Sequence, residues 1–450
     1  MLRFFDAERG MERHRLLSNV VLVSACLTCG PRAIAVDDVV GEKKGPASAW
    51  VDSNVVQPGV GDGITLRQAL ALTLERNPDL AAFPWQLRAS DANVQQVGRR
   101  PNPELGLQLE DVLGTRDFSG FERTQATLEL SQLLELGGKR SQRVEVASRA
   151  RDLVVSEYDV AGVDILGEVA RRFIQVVADQ HEVDLARTTT QLSDTTLSVV
   201  RQRVRAAKVS SVEETKARVA LARSRIVLAR AEHRLAASRA QLAAMWGDPR
   251  PAFARAEADL FSRRTVPAYD ELAGRVAASL EIARWASEAR LREAEIRLAN
   301  SKRTPDVTLS VGARRLESDD AETFLMGAIL PLPLFDRKQG AIAEARALLE
   351  KSAAQRQAAE TRLLAMLFGL HEQLLQAASE MEAIEADILP QAEEALTISQ
   401  QGFVQGRFSF LELLDAQRTL TEVRREQIDA AASYHRVVVE IEALTGRPIR

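Results

Sequence analysis

Cysteine is nearly absent: among 450 residues only Cys26 and Cys29 carry a thiol, and both stand close to the N-terminus. A chain shortened past them has neither thiol nor disulfide, so packing alone has to stabilise it. Aromatic residues make up 5% of the sequence and the net charge is −4. With no basic tract, nucleic acid is excluded as a partner. Histidine is sparse too: His14, His181, His233, His371 and His435 are scattered, and no two stand four apart as helical metal ligands do. Phosphate-binding loops, G-x-S-x-G elbows and strand–helix alternation are missing, so no enzyme chemistry, no cofactor and no resident metal is expected. Beyond the N-terminal segment no run of about 20 apolar residues occurs, which excludes a transmembrane helix there. Proline is lacking between Pro103 and Pro249, and again between Pro333 and Pro390. Helix is the economical reading of both gaps.

The N-terminal segment itself reads as an export signal over residues 1–35. Arg13 and Arg15 precede an apolar run from Leu16 to Cys29, Gly30-Pro31 breaks it, and Ala33-Ile34-Ala35 offers a cleavage site. Asp6 and Glu8 are foreign to a signal, which makes Met11 the expected start. Two processing routes stay open: a cut after Ala35, or lipidation of Cys26 at the lipobox-like Val23-Ser24-Ala25-Cys26. Residues 36–63, rich in Gly, Asp, Ser and Pro without a period, read as an extended arm.

From Ile64 the chain repeats itself after about 200 residues. Pro103-Glu104-Leu105-Gly106-Leu107 lines up with Pro305-Asp306-Val307-Thr308-Leu309, Val209-Ser210-Ser211-Val212-Glu213 with Phe408-Ser409-Phe410-Leu411-Glu412, and Trp246-Gly247-Asp248-Pro249 with Thr445-Gly446-Arg447-Pro448. Two domains follow, 64–249 and 250–448. Each opens on helices, the first with Thr65 as cap and an interruption at Asn77-Pro78. Each then changes to a period of two: Leu105, Leu107 and Leu109, then Ala126 to Leu130, in strands spanning about 103–132, and Val307, Leu309 and Val311, then Phe324 to Leu334, in strands spanning about 305–334. Long helices rich in Ala, Leu, Arg and Glu close each half. At about 60 residues each they would reach about 90 Å. Pro390 marks a kink or junction in the last of them, Met245 and Trp246 read as packing residues, and Ala236-Ala237 and Ala430-Ala431-Ala432 read as seams where helices approach closely.

The expected fold is therefore α+β, mostly α, with four strands per chain. A transmembrane barrel needs at least about eight strands to leave no edge. Three copies supply twelve, and cyclic symmetry makes a homotrimer the simplest closed solution: a trimeric outer membrane β-barrel continued by a long periplasmic α-helical barrel.

From Ile64 to Pro448 the sequence resembles the TolC-like outer membrane factors, and within them the CzcC-type heavy-metal efflux branch. The resemblance rests on Asn77-Pro78-Asp79-Leu80, on Ile388-Leu389-Pro390-Gln391-Ala392, and on Gly406 followed by Leu411-Glu412-Leu413-Leu414-Asp415-Ala416. The run from Leu109 to Thr115 favours the metal branch. The resemblance implies a passive conduit through the outer membrane lipid, partnered by a periplasmic adaptor and an inner membrane RND pump. It also implies adaptor-contacting helix tips at Ala207, Lys208, Ser210, Gly406, Arg407 and Ser409. Ala207 stands where the first tip usually carries glycine, so that turn is expected to differ from the one at Gly406. A periplasmic gate is implied at Glu412, Asp415, Glu213 and Phe403, with Glu214 as an alternative to Glu213; carboxylates ringed around an axis attract cations. Phe408 stands where the drug-exporting member has an arginine, with Arg407 beside it. Spacing alone gives Glu412 and Asp415 only a shared helix face. Export of heavy-metal cations is the leading reading, drug efflux or protein secretion through the same channel the next, and a secreted coiled-coil scaffold without a pore the alternative of another class.

Overall fold

The structure, a computed structural model, describes residues 63–446 except 113 and 119. The expected signal peptide with Met11 and Cys26, and the arm up to residue 62, lie outside the described residues. Helix α1 (Leu66–Arg76) starts in a capping box, with Thr65 accepting from the Gln68 N–H and the Gln68 side chain returning to the Thr65 N–H. Asn77 ends it and caps α2 (Pro78–Val97): its side chain accepts from the Leu80 N–H at 2.9 Å and donates to the Met245 carbonyl at 2.7 Å. Pro78 tolerates this position because a first-turn N–H has no helical partner to lose.

Strands β2 (Glu104–Glu110) and β3 (Gln125–Leu134) form an antiparallel hairpin, and β5 (Val307–Leu316) and β6 (Ala321–Ile329) another. They join in one sheet of order β2-β3-β5-β6. The register aligns Leu105, Leu130, Val311 and Met326 in one row and Leu107, Leu128, Ala313 and Phe324 in the next. Directly opposed residues share a face, so the leucine period read from the sequence becomes one continuous apolar surface. Alternate rows fall on the other face, where Gln108, Thr127, Arg314 and Thr323 line up as a polar row. Strand β6 stops at Ile329, five residues before the expected end at Leu334, because Pro331 and Pro333 supply no N–H to a ladder.

Gly137 and Gly138, at φ 68° and 70°, turn β3 into α3 (Lys139–Arg205), a single helix of 67 residues and about 100 Å. Lys338, at φ 60°, makes the same turn after β6. There α7 (Gln339–Ala383), a π turn (Ile384–Ile388) and α8 (Leu389–Gln405) follow without a break. The π turn sits just ahead of Pro390, whose ring crowds the carbonyl four residues back and whose missing N–H leaves that carbonyl without a helical donor. Helices α4 (Ser211–Ala243) and α9 (Phe410–Thr445) run back from the two tips. Helix α3 packs on α4 at one side and α9 at the other, and α8 packs on the far side of α9. Above them α2 and α6 (Leu280–Ser301) flank α3, and α7 packs on α6. The helices thus keep the column order of the strands they connect to. In α4 the line Ala217, Leu221, Ser224, Ala231, Ser238 and Leu242 is buried, a seam of coiled-coil spacing whose small residues admit α3 closely. Ala430, Ala431 and Ala432 are buried as well, whereas Ala236 and Ala237 face outward.

The segment 250–268, which opens the second half, wraps the middle of the helices. Its strand β4 (Arg255–Glu257) pairs in parallel with β1 (Gly63–Thr65). Gln180 of α3 completes the edge: its amide donates to the Ala256 carbonyl at 3.0 Å and accepts from the Ala256 N–H at 2.7 Å. The Tyr434 hydroxyl accepts from the Arg264 N–H at 3.0 Å and donates to the Arg264 carbonyl at 2.9 Å, and His435 Nε2 lies 2.9 Å from the Leu260 carbonyl. Met245 and Trp246 are buried here with Phe173, Leu242, Tyr434 and Ile441, in a cluster that also holds Leu272 of α5 (Tyr269–Val276).

Candidate functional site

The two helix tips form the region that the sequence singled out. At the first, α3 ends with the Ala207 N–H on the Val204 carbonyl and the Lys208 N–H on the Arg203 carbonyl, both at 2.9 Å. At the second, the Gly406 N–H meets the Phe403 carbonyl at 3.1 Å and the Arg407 N–H the Gly402 carbonyl at 2.8 Å. These are the same helix-ending motif. The expected difference at Ala207 is absent: its φ is 55° against 80° at Gly406. The alanine holds a left-handed conformation that costs it roughly 1 kcal/mol. Ser210 then caps α4 by accepting from the Val212 N–H at 3.3 Å.

Ser409 caps α9 in a full capping box. Glu412 Oε2 accepts from the Ser409 N–H at 2.6 Å and from its hydroxyl at 2.8 Å. The Ser409 N–H, with the hydroxyl behind it, holds the Glu412 carboxyl below the usual glutamate value. Glu412 is therefore ionised and committed to its own helix start while remaining exposed, and Asp415 is exposed one turn further on. Glu213 is half-buried in the first turn of α4, and its Oε2 has no hydrogen-bond partner. Glu214 beside it pairs with Arg201 and Arg218. Phe403 is 2% exposed and packs against Phe410 with ring centroids 6.2 Å apart. It belongs to the tip's core. Phe408 lies over Gly402, where an added Cβ would fall 2.2 Å from its ring.

Arg203 is the residue that sequence reasoning missed. From the end of α3 it donates to the Phe403 carbonyl and sets its guanidinium 4.5 Å from the centre of the Phe403 ring, tying the first tip to the second. In the sequence it is one of three alternating arginines at a helix C-terminus, where the dipole alone accounts for basic residues. Beside it a groove of about 460 Å³ opens between α3, α8 and α9, with Thr188, Thr195, Gln400, Phe403 and Val404 in its walls.

At the opposite end, where strands meet helices, Lys139 Nζ lies 2.6 Å from Asp306, which also accepts from the Leu136 N–H at 3.0 Å. Arg143 and Glu135 pair next to them. On the polar sheet face Arg314 donates to Thr127 and Gln125 and pairs with Glu110 at 3.3 Å. The apolar face is bare: Leu107 is 70% exposed, Leu128 51% and Phe324 89%. Among the described residues no helix is long and apolar enough to cross a membrane and no group of three or more His, Cys, Asp or Glu is placed to hold a metal ion.

A sheet with one bare apolar face and one polar face, continued by helices of about 100 Å that end in paired tips, defines a membrane-inserted β-structure with a long aqueous extension. The chain belongs to the outer membrane efflux protein family, whose profile matches residues 69–248 and 272–447. It is an outer membrane protein with a periplasmic extension. It is 33% identical over 386 residues to the cobalt-zinc-cadmium resistance protein CzcC of Cupriavidus metallidurans, covering 85% of this chain and 90% of that one. The nickel and cobalt resistance protein CnrC of the same organism is 30% identical over 277 residues, covering 62% of this chain and 64% of CnrC. Among solved structures, the outer membrane protein VceC of Vibrio cholerae superposes with a TM-score of 0.67 at 18% identity, covering 86% of this chain and 97% of VceC.

Proposed function

We propose that this protein is the outer membrane channel of a tripartite efflux system and a passive conduit for heavy-metal cations, working as a homotrimer with a periplasmic adaptor and an inner membrane RND pump. The observation that carries this reading is the four-stranded sheet with an exposed apolar face and two unpaired edge strands, β2 and β6. An open sheet edge is not tolerated in lipid, and three such sheets joined edge to edge make a twelve-strand barrel. A scaffold outside the membrane gives that apolar face nothing to contact. Similarity to CzcC and CnrC, whose names record resistance to cobalt, zinc, cadmium and nickel, favours metal cargo over drugs or secreted protein.

The halves 64–249 and 250–448 are taken as a duplicated unit. Support comes from paired features about 200 residues apart: Gly138 and Lys338, Ala207 and Gly406, and Gly247 and Gly446 all adopt positive φ at matching turns. The tip residues Ala207, Lys208, Ser210, Gly406, Arg407 and Ser409 are assigned to adaptor contact. Glu412 and Asp415, exposed on one helix face, are assigned to the periplasmic gate together with Glu213 and the buried Phe403. The conduit has no chemistry of its own, and selection of the metal lies with the pump.

Purified protein in planar bilayers tests the reading. Discrete, cation-preferring conductance is expected, rising in Glu412→Ala/Asp415→Ala. Unchanged conductance in the double variant removes the gate assignment, and no conductance from either form removes the conduit.

A further inference from the structure

The four helix columns leave two helices without an outer neighbour among the described residues: α4, which packs chiefly on α3, and α8, which packs chiefly on α9. Both carry apolar side chains toward solvent. Val212, Val219 and Ile226, spaced by seven on α4, are 57, 48 and 53% exposed, and on α8 Ile398 and Val404 are 50 and 70% exposed. A second heptad line on a helix that already buries one calls for a second helix.

Charge distinguishes the two edges. Helix α4 carries seven basic residues against three acidic ones. From residue 363 to 406 there is no lysine or arginine at all, and seven carboxylates: Glu372, Glu380, Glu382, Glu385, Asp387, Glu393 and Glu394. The two stretches also stand level. Both hairpins turn at left-handed residues, Ala207 and Gly406, and Arg203 ties the turns together. Counted from those turns, Arg218 and Glu394 lie 11 and 12 residues away, Arg230 and Glu382 23 and 24, and Arg234 and Glu380 27 and 26. All six side chains are exposed, and all but Arg218, which pairs with Glu214, lack an ion-pair partner among the described residues.

Resting on the homotrimer reading above, we infer that the periplasmic helices mate by charge, the basic edge at α4 of one copy seating against the acidic edge at α8 and the end of α7 of the next. Opposite edges on one chain allow a head-to-tail ring and oppose pairing of like edges, which fixes direction as well as contact. The apolar lines supply close packing and the charges supply partner choice. Complementarity is confined to the tip-side half: α2, above α4, has two acidic residues and one basic.

The test uses the full-length protein purified in mild detergent. One variant reverses the basic edge, Arg218→Glu/Arg230→Glu/Arg234→Glu; a second reverses the acidic edge, Glu380→Lys/Glu382→Lys/Glu394→Lys; a third carries all six changes. Each single-edge variant should lose at least tenfold in the trimer-to-monomer ratio by sedimentation, and the six-fold variant should recover most of it. Native-like assembly of the single-edge variants overturns the inference, as does a six-fold variant no better than either, provided circular dichroism gives all three native helix content. Salt titration of the unaltered chain is the second measurement and needs no variant: trimer should fall as ionic strength rises from about 0.05 to 1 M. Salt-insensitive assembly also overturns the inference, whereas a chain that never forms trimers overturns the homotrimer reading itself.

Discussion

Arg203 joins two helix tips that are 200 residues apart in sequence. Its guanidinium has two contacts, a charge-assisted hydrogen bond to the Phe403 carbonyl and the face of the Phe403 ring. Each is individually modest, and together they are worth on the order of 1.5 kcal/mol at this half-buried site. In Arg203→Ala the tips should part about tenfold more often, since about 1.4 kcal/mol is a factor of ten. Hydrogen exchange over residues 400–410 should quicken by that factor, and channel open time should lengthen. Exchange that stays at the native rate would mean that the Phe403–Phe410 packing holds the tip unaided. Phe408 lies over Gly402 and brings no charge to this contact. The cation comes from the first tip, a pairing visible only once both turns are folded together. Ala207 carries a similar lesson: hydrogen bonding to Val204 and Arg203 sets its backbone, and the missing glycine costs strain without changing the turn.

Elements differ in how much of themselves the sequence reveals. The strands were legible because one face is apolar over its whole length, so a period of two survives in Leu105, Leu107 and Leu109; the long helices were legible because proline is missing. The mid-helix wrap was not. Strands β1 and β4 have three residues each, too few for a period, and the wrap is held by Gln180, Tyr434 and His435, which bond to backbone that any sequence supplies. Burial pushes the imidazoles of His435 and His181 below the ordinary histidine value. Arg264 and Arg255 act in the same direction, and Asp259 and Asp184 oppose it. Because these histidines bind protons less readily when folded, stability is fully present above about pH 6.5, their unfolded value, and falls as pH drops through the folded values. The loss is at most about 1.4 kcal/mol per pH unit for each. Limited proteolysis within 250–268 should therefore accelerate between pH 7 and pH 5, less so in His435→Gln, and a cleavage rate flat with pH would rule out titration of these groups.

For the whole molecule the decisive question is which face of the sheet meets lipid. The register assigns opposite environments to adjacent residues: Leu107 and Leu128 share a row on the bare apolar face, and Gln108 lies in the polar row beside them with Arg314. An arginine on a lipid-facing strand position near the bilayer midplane costs about 2–4 kcal/mol, while one facing the lumen costs little. Leu128, on a strand paired at both sides and 51% exposed, is the sharper site. Leu128→Arg should lower the stability of protein folded into lipid vesicles by about 2–4 kcal/mol in a denaturant titration, and Gln108→Arg by less than about 1 kcal/mol. The same two changes in a sheet exposed to water should cost similar, small amounts, so equal effects would mean that the apolar face is covered by protein and not by lipid. A large difference with the opposite sign would turn the sheet over. The polar face would then meet lipid with Arg314 and Glu110 on it, an arrangement whose desolvation the single ion pair between them does not offset.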